Sequence, residues 1–329
     1  MTISVGTLRS LQQMSTDRGI FTITAMDQRG ALKSMLNPGG EVPYATMREV
    51  KVDVVSALSP HSTAMLLDPE YGAAECIAEG ALAGHAGLIV SIEETGYTAD
   101  GSGRLASLIP NWGVSRIKRM GAQAVKLLVY YHPDEVESAR KQREIIKRVL
   151  DDCRKFDIPL LVEAVGYPLA GQDKAAYAAT KPNVVVRTAE ELTALGFDIY
   201  KAEFPVDLSF PHDESTLGDW CRKLDQASPI PWIILSAGVD IDQFVKQVEI
   251  ACQNGASGFL AGRAIWKDSV KLKDRAERQA HLRTKAVENL QRCSELAIKY
   301  ARPFNEKMGR PQGFADIVQE GWYKQYPGL

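Results

Sequence analysis

The sequence predicts an α/β chain folded as a single (β/α)₈ barrel of the TIM type, and three observations lead there. Eight short apolar runs recur along the 329 residues, at 19–27, 62–68, 87–93, 124–131, 159–165, 198–204, 231–238 and 257–263. Longer amphipathic stretches separate them, which is the alternation of repeated βα units around a parallel sheet. Successive runs lie roughly 25 to 40 residues apart, about the length of one βα unit, and no Pro/Gly/Ser-rich linker marks a second domain.

Each element follows from its own residues. Most runs, from GIFTITAMD through AVKLLVYY to SGFLAGR, are apolar on both alternating faces, as in strands covered by helices outside and packed core inside. Segment 134–156 is acidic at its start and basic later, with Ile145, Ile146, Val149 and Leu150 along one side, and predicts a helix leading into the fifth strand. The stretch 167–182 is expected as a loop after that strand, where the mouth of a site can vary. The barrel is expected over about 15–270, within one domain spanning 1–329. Its helical C-terminal extension, about 271–329, is charged at first, then rich in Pro, Gly and aromatics, and is expected to cover the barrel or to serve an oligomer contact. An open doubly wound sheet is the alternative, but it normally needs fewer strands, and no GxGxxG follows the first run.

A net charge of −2 excludes a strong global field toward nucleic acid or an anionic membrane, so neither is an expected partner. No stretch approaches the roughly 20 apolar residues of a membrane span, and the amino terminus lacks a long apolar run after a basic start, so a cytoplasmic protein is expected. Five scattered cysteines (Cys76, Cys153, Cys221, Cys252, Cys293) form no CxxC pair and suit reduced packing residues. Five histidines show no HExxH, so no metal is expected.

In such a barrel catalytic groups come from the carboxyl ends of several strands. Asp27 ends the first run, Lys126 lies within the fourth, Glu163 within the fifth and Lys201 within the sixth, and Ser236 closes the seventh. One strand lysine ordinarily covers apolar surface with its stem and reaches a carboxylate with its head. Two lysines and two carboxylates on different strands of one barrel can instead share a cavity. An amine attacks a ketone only when unprotonated, and a nearby cation with partial desolvation lowers its pKa, a service each lysine is expected to render the other. Proton transfers would fall to Glu163 or Asp27. Small residues after the seventh and eighth runs, SAGVD and AGRAIW, expose backbone N–H groups suited to phosphate, and Arg263 adds a planar fork of donors.

Those residues, with MDQRGALKSML, LLDPEYG, EETGY, AVKLLVYY, DIYKAEFPVD, ILSAGVD and GFLAGRAIW, resemble the class I tagatose 1,6-bisphosphate aldolase family and its relatives that cleave sulfofructose 1-phosphate. LDPEYG and EETGY look closer to the tagatose branch. The resemblance covers most of the barrel. It implies a Schiff-base lyase without a cofactor, Lys201 as the nucleophile, and Asp27, Lys126 and Glu163 as its acid/base and electrostatic surroundings. It further implies that Ser236, Arg263 and the amides of Gly238 and Gly262 hold the C1 phosphate of a phosphorylated ketose and that Gln28 and Arg29 contact substrate; a homo-oligomer is expected as well. A zinc-dependent aldolase, a phosphate-binding barrel isomerase and a sugar-phosphate-sensing regulator on the same barrel are the alternatives.

Overall fold

A computed structural model describes residues 3–99, 103–324 and 326. Residues 1–2 and 327–329, the outermost of the expected domain, lie outside these. The barrel strands are β1 (Phe21–Met26), β2 (Ala64–Leu67), β3 (Gly87–Ser91), β4 (Ala124–Tyr130), β5 (Leu160–Val165), β6 (Ile199–Ala202), β7 (Trp232–Leu235) and β8 (Gly258–Ala261). Each lies within one of the apolar runs. They pair in parallel, in sequence order, and β8 returns to β1, so the sheet closes into the expected barrel. Closure brings two backbones close together: a Cβ on Gly258, whose φ is 134°, would sit 1.9 Å from the Phe21 carbonyl oxygen, so only glycine fits there.

Period-2 alternation divides the strand residues into two cores. Ile23, Leu66, Ile89, Ala124, Leu161, Ile199, Ile233 and Leu260 fill the interior. Val125, Leu127, Val162, Tyr200, Ile234 and Phe259 face outward. Around the strands lie helices α1 (Val5–Gln13), α2 (Gly30–Leu36), α3 (Tyr44–Leu58), α4 (Ala73–Ala78), α5 (Val114–Arg119), α6 (Val136–Lys155), α7 (Lys174–Thr193), α8 (Glu214–Ala227) and α9 (Ile241–Gln253). They are followed by α10 (Arg263–Val270), α11 (Arg275–His281), α12 (Val287–Tyr300) and α13 (Phe304–Lys307). The segment 134–156 is α6, as expected.

Two features refine the sequence reading. The stretch 167–182 is a loop only in its first part, because α7 starts at Lys174. Asp173 caps it by accepting the Ala176 N–H at 2.8 Å, and an alanine-rich run continues through a buried Pro182. Cap and propensity outweigh one proline, whose missing N–H removes a single backbone hydrogen bond. After residue 270 the described chain is helical through α13, with only short helical turns beyond Lys307, and α12 packs against α9, α3, β1 and β8, which completes the outer ring between the last and first units. At the opposite end, Leu11 of α1, Met14 just after it and Phe304 of α13 close the barrel floor.

Candidate active site

The same alternation that builds the interior core delivers the functional side chains. Lys126 is two residues beyond Ala124, Glu163 two beyond Leu161 and Lys201 two beyond Ile199, so all three point inward, one layer above the apolar one. Glu163 and Lys201 are register partners on β5 and β6. With Asp27, Gln28, Arg29, Ser236, Gly238, Gly262 and Arg263 they line one cavity of about 580 Å³ at the carboxyl ends of the strands. Every sequence-predicted site residue therefore reaches that space.

The polar contacts are direct. Lys201 Nζ lies 2.9 Å from Glu163 Oε2, and Lys126 Nζ lies 3.1 Å from the same oxygen. Lys126 also donates to Asp27 Oδ2 at 2.9 Å and to Glu93 Oε1 at 2.5 Å. Lys126 thus faces three carboxylates and Lys201 one.

This asymmetry corrects the expectation for Lys126, whose pKa is not lowered. Burial alone would lower Lys126, but Asp27, Glu163 and Glu93 outweigh it and hold the ammonium well above the ordinary lysine range. Lys126 is a fixed cation. Burial would raise Asp27 and Glu163; instead Lys126 and Lys201 pull Asp27 down to about 2 and also lower Glu163, with Asp27 opposing the latter. Both carboxyls are ionised at neutral pH.

The wall formed by β7, β8 and α10 has the character of an anion cradle. Ala237 and Gly238 both take positive φ, 47° and 80°, which turns the backbone sharply after Ser236. A Cβ on Gly238 would press to 3.0 Å from the Arg263 guanidinium carbon. Lys267, one turn along α10, donates to the Gly238 and Val239 carbonyls at 3.3 and 3.0 Å and fixes this turn beside the first residue of the helix. Backbone donors, a helix N-terminus, a serine and an arginine converge there.

On the β1 side, Gln28 Nε2 would lie 2.8 Å from a Cβ on Gly262, and Gln28 Oε1 is buried with no hydrogen-bond partner among the described residues. Arg29 is buried, paired with Glu70 at 2.6 Å and donating to the Glu93 carbonyl at 2.6 Å. Three carboxylates that line the cavity, Glu93, Glu94 and Glu203, escaped the sequence reading, and the first and last make ion pairs. Glu93 follows β3 and contacts Lys126; Glu203 follows β6, accepts the Gly166 N–H at 2.7 Å and pairs with Lys181 at 3.4 Å. Both were legible by the strand-end rule, since Glu93 closes the third run and Glu203 sits two residues past Lys201. Among the described residues no group of His, Cys, Asp and Glu is arranged to hold a metal ion, and no helix is long and apolar enough to cross a membrane.

A barrel with inward lysines linked through carboxylates beside an anion cradle defines a lyase of the aldolase kind. A profile of the DeoC/LacD family aldolases matches residues 21–268. The chain is 33% identical over 328 residues to tagatose 1,6-diphosphate aldolase 1 of Streptococcus mutans, covering 93% of this chain and 100% of that one. It is 35% identical over 338 residues to tagatose 1,6-diphosphate aldolase of Listeria monocytogenes, covering 96% and 97%. Among solved structures, a Schiff-base-forming fructose-1,6-bisphosphate aldolase shares the fold at TM-score 0.57 and 21% identity, covering 88% of this chain and 99% of that one. Fructose-bisphosphate aldolase from Slackia heliotrinireducens does so at TM-score 0.59 and 13% identity, covering 91% and 94%. The chain belongs to the DeoC/LacD family of aldolases.

Proposed function

We propose that the protein is a class I, Schiff-base aldolase that cleaves D-tagatose 1,6-bisphosphate to dihydroxyacetone phosphate and D-glyceraldehyde 3-phosphate. The names of its relatives support the substrate. The observation that carries the mechanism is the unequal pairing of the two lysines: Lys126 is held by three carboxylates, whereas Lys201 touches Glu163 alone, which stands in reach of its Nζ for proton transfer.

The C1 phosphate sits at Ser236, Gly238, Gly262 and Arg263, which sets C2 against Lys201. Glu163 takes a proton from Nζ, the amine adds to C2, and Glu163 passes to the C2 oxygen first that proton and then a second one shed by the added nitrogen, so that the oxygen leaves as water. The resulting iminium is an electron sink. Glu163, again a carboxylate, takes the C4 hydroxyl proton; C3–C4 breaks, the aldehyde leaves, and the electron pair forms an enamine. Protonation at C3 and hydrolysis release dihydroxyacetone phosphate. Lys126 stabilises the negative charge that develops around the reacting oxygens, and Asp27 and Glu93 hold it in place. Gln28 Oε1 accepts from a substrate hydroxyl.

Incubation with the bisphosphate and borohydride, followed by peptide mass spectrometry, should place a reduced adduct on Lys201. An adduct on Lys126 would reassign the nucleophile, and no adduct would sink the Schiff base. Activity should persist after chelation; its loss and recovery with metal would favour a metal-dependent aldolase. Comparing kcat/KM for tagatose, fructose, sorbose and psicose bisphosphates and for sulfofructose 1-phosphate measures the tolerance for epimers and tests the substrate assignment.

A further inference from the structure

Beneath the active site lies a lysine–aspartate pair that the mechanism does not use. Lys51 of α3 and Asp68, just after β2, are both completely shielded from solvent, with Nζ 2.5 Å from Oδ1. Lys51 Nζ also donates to the carbonyls of Met26 at 2.6 Å and Gln28 at 2.9 Å. Those are the two carbonyls that flank Asp27. Asp68 Oδ2 accepts the N–H groups of Glu70 and Tyr71 at 3.0 and 2.8 Å.

The contacts close into a ring. Lys51 fixes the peptides around Asp27; Asp27 binds Lys126; Lys126 binds Glu93; the Glu93 carbonyl takes Arg29; Arg29 pairs with Glu70; and the Glu70 amide returns to Asp68 and Lys51. A fully buried ion pair contributes little net stability compared with apolar side chains of similar volume. Its geometry, in contrast, is specific to the position of one carboxylate. We propose that Lys51, paired with Asp68, is a positioning residue for the aldolase reaction: it holds the Met26–Gln28 backbone so that Asp27 meets Lys126. This rests on the proposed function, because it assigns Lys51 a role in that reaction.

The test is a double-mutant cycle between Lys51→Met and Asp27→Asn, with kcat and KM measured on tagatose 1,6-bisphosphate. Lys51→Met is expected to lower kcat by about 10- to 100-fold, the cost of a small misplacement in a catalytic site, with KM within about threefold. In the Asp27→Asn background it should cost no more than about twofold further, because its effect passes through Asp27. Additive losses, or a rise in KM at unchanged kcat, would overturn the assignment. Lys51→Met leaves Asp68 unpaired, so Lys51→Met/Asp68→Asn, which buries no orphan charge, is the second variant and should show the same kcat loss with a native circular-dichroism spectrum. Wild-type kcat in that folded double variant overturns the proposal, and so does failure of both variants to fold, which would make the pair a requirement of the fold. Borohydride trapping of the wild type separates the two readings: no adduct on Lys201 defeats the proposed function, whereas a normal adduct with an unaffected Lys51→Met defeats only this inference.

Discussion

The barrel interior has two ends with opposite chemistry on the same strands. Toward the floor, Phe21, Ile23, Ala64, Leu66, Ile89, Ala124, Leu161, Ile199 and Ile233 form a dry layer sealed by Leu11, Met14 and Phe304. One inward step further along, Asp27, Lys126, Glu163 and Lys201 replace it with interlocked charges. A rise of about two residues, some 7 Å of strand, separates an apolar layer from one of interlocked charges. The lower layer is replaceable by anything of equal volume and no polarity. The upper layer is costly to bury, and its charges are tied to one another.

The largest effect should come from the upper layer. Lys201→Met should abolish the borohydride adduct and lower kcat by at least about a thousandfold, the scale of losing a covalent nucleophile, while the melting temperature holds or rises because Glu163 keeps Lys126 as a partner. Measurable turnover through Lys126 would break the comparison between the two lysines.

One layer down the consequences should be exchanged. Phe21 is fully buried and packs against Phe304 with ring centroids 5.7 Å apart. Phe21→Ala should cost about 3–5 kcal/mol in chemical denaturation, as large-to-small core changes do, yet leave kcat per folded molecule within about twofold. A loss of kcat matching that of the charged layer would show that the floor and the mouth are not separable.

A change in the anion cradle should affect binding rather than chemistry. Arg263→Met removes a charge-assisted donor from the proposed C1 phosphate site, worth about 1.5–3 kcal/mol, so KM should rise by roughly 10- to 100-fold with kcat little changed. Steady-state kinetics on the bisphosphate decides it; a fall in kcat at constant KM would move Arg263 from the binding site into the reaction.

How much of this was readable from sequence follows from which residues act locally. The strands and the parity of Lys126, Glu163 and Lys201 were legible, because strand alternation is local and a lysine amid Ala124, Val125, Leu127 and Leu128 is conspicuous. The uneven sharing of carboxylates was not, because Glu93 reaches Lys126 only after β3 and β4 have paired. Lys51 left a fainter trace: it shares a helix face with the core residues Met47, Val54 and Leu58, at a position where an apolar side chain would be expected. The start of α7 was hidden by Pro182, which reads as a boundary although Asp173 and the alanines after it form the helix.

The smallest effect belongs to a carboxylate at the floor, where charge has no function to serve. Asp198 precedes β6 and accepts the Leu160 N–H at 2.9 Å. Burial pushes its pKa up from 3.8 to about 6, against that hydrogen bond and Arg154, with Asp157 adding to the rise. An acid whose folded pKa is raised binds its proton more tightly in the folded state, so its contribution is intact below about pH 4 and is lost as pH climbs to about 6. Such a shift is worth up to about 3 kcal/mol. Part of the residue still reaches solvent, which discounts the figure to about 1 kcal/mol. Asp198→Asn keeps an oxygen for Leu160 and carries no charge. It should therefore raise stability by about 1 kcal/mol at pH 7.5, with the gain disappearing near pH 4, in denaturant titrations at both values, and it should leave kcat unchanged. A gain of equal size at both pH values would mean that the substitution improves packing rather than removing a buried charge, and the floor would then owe nothing to being uncharged.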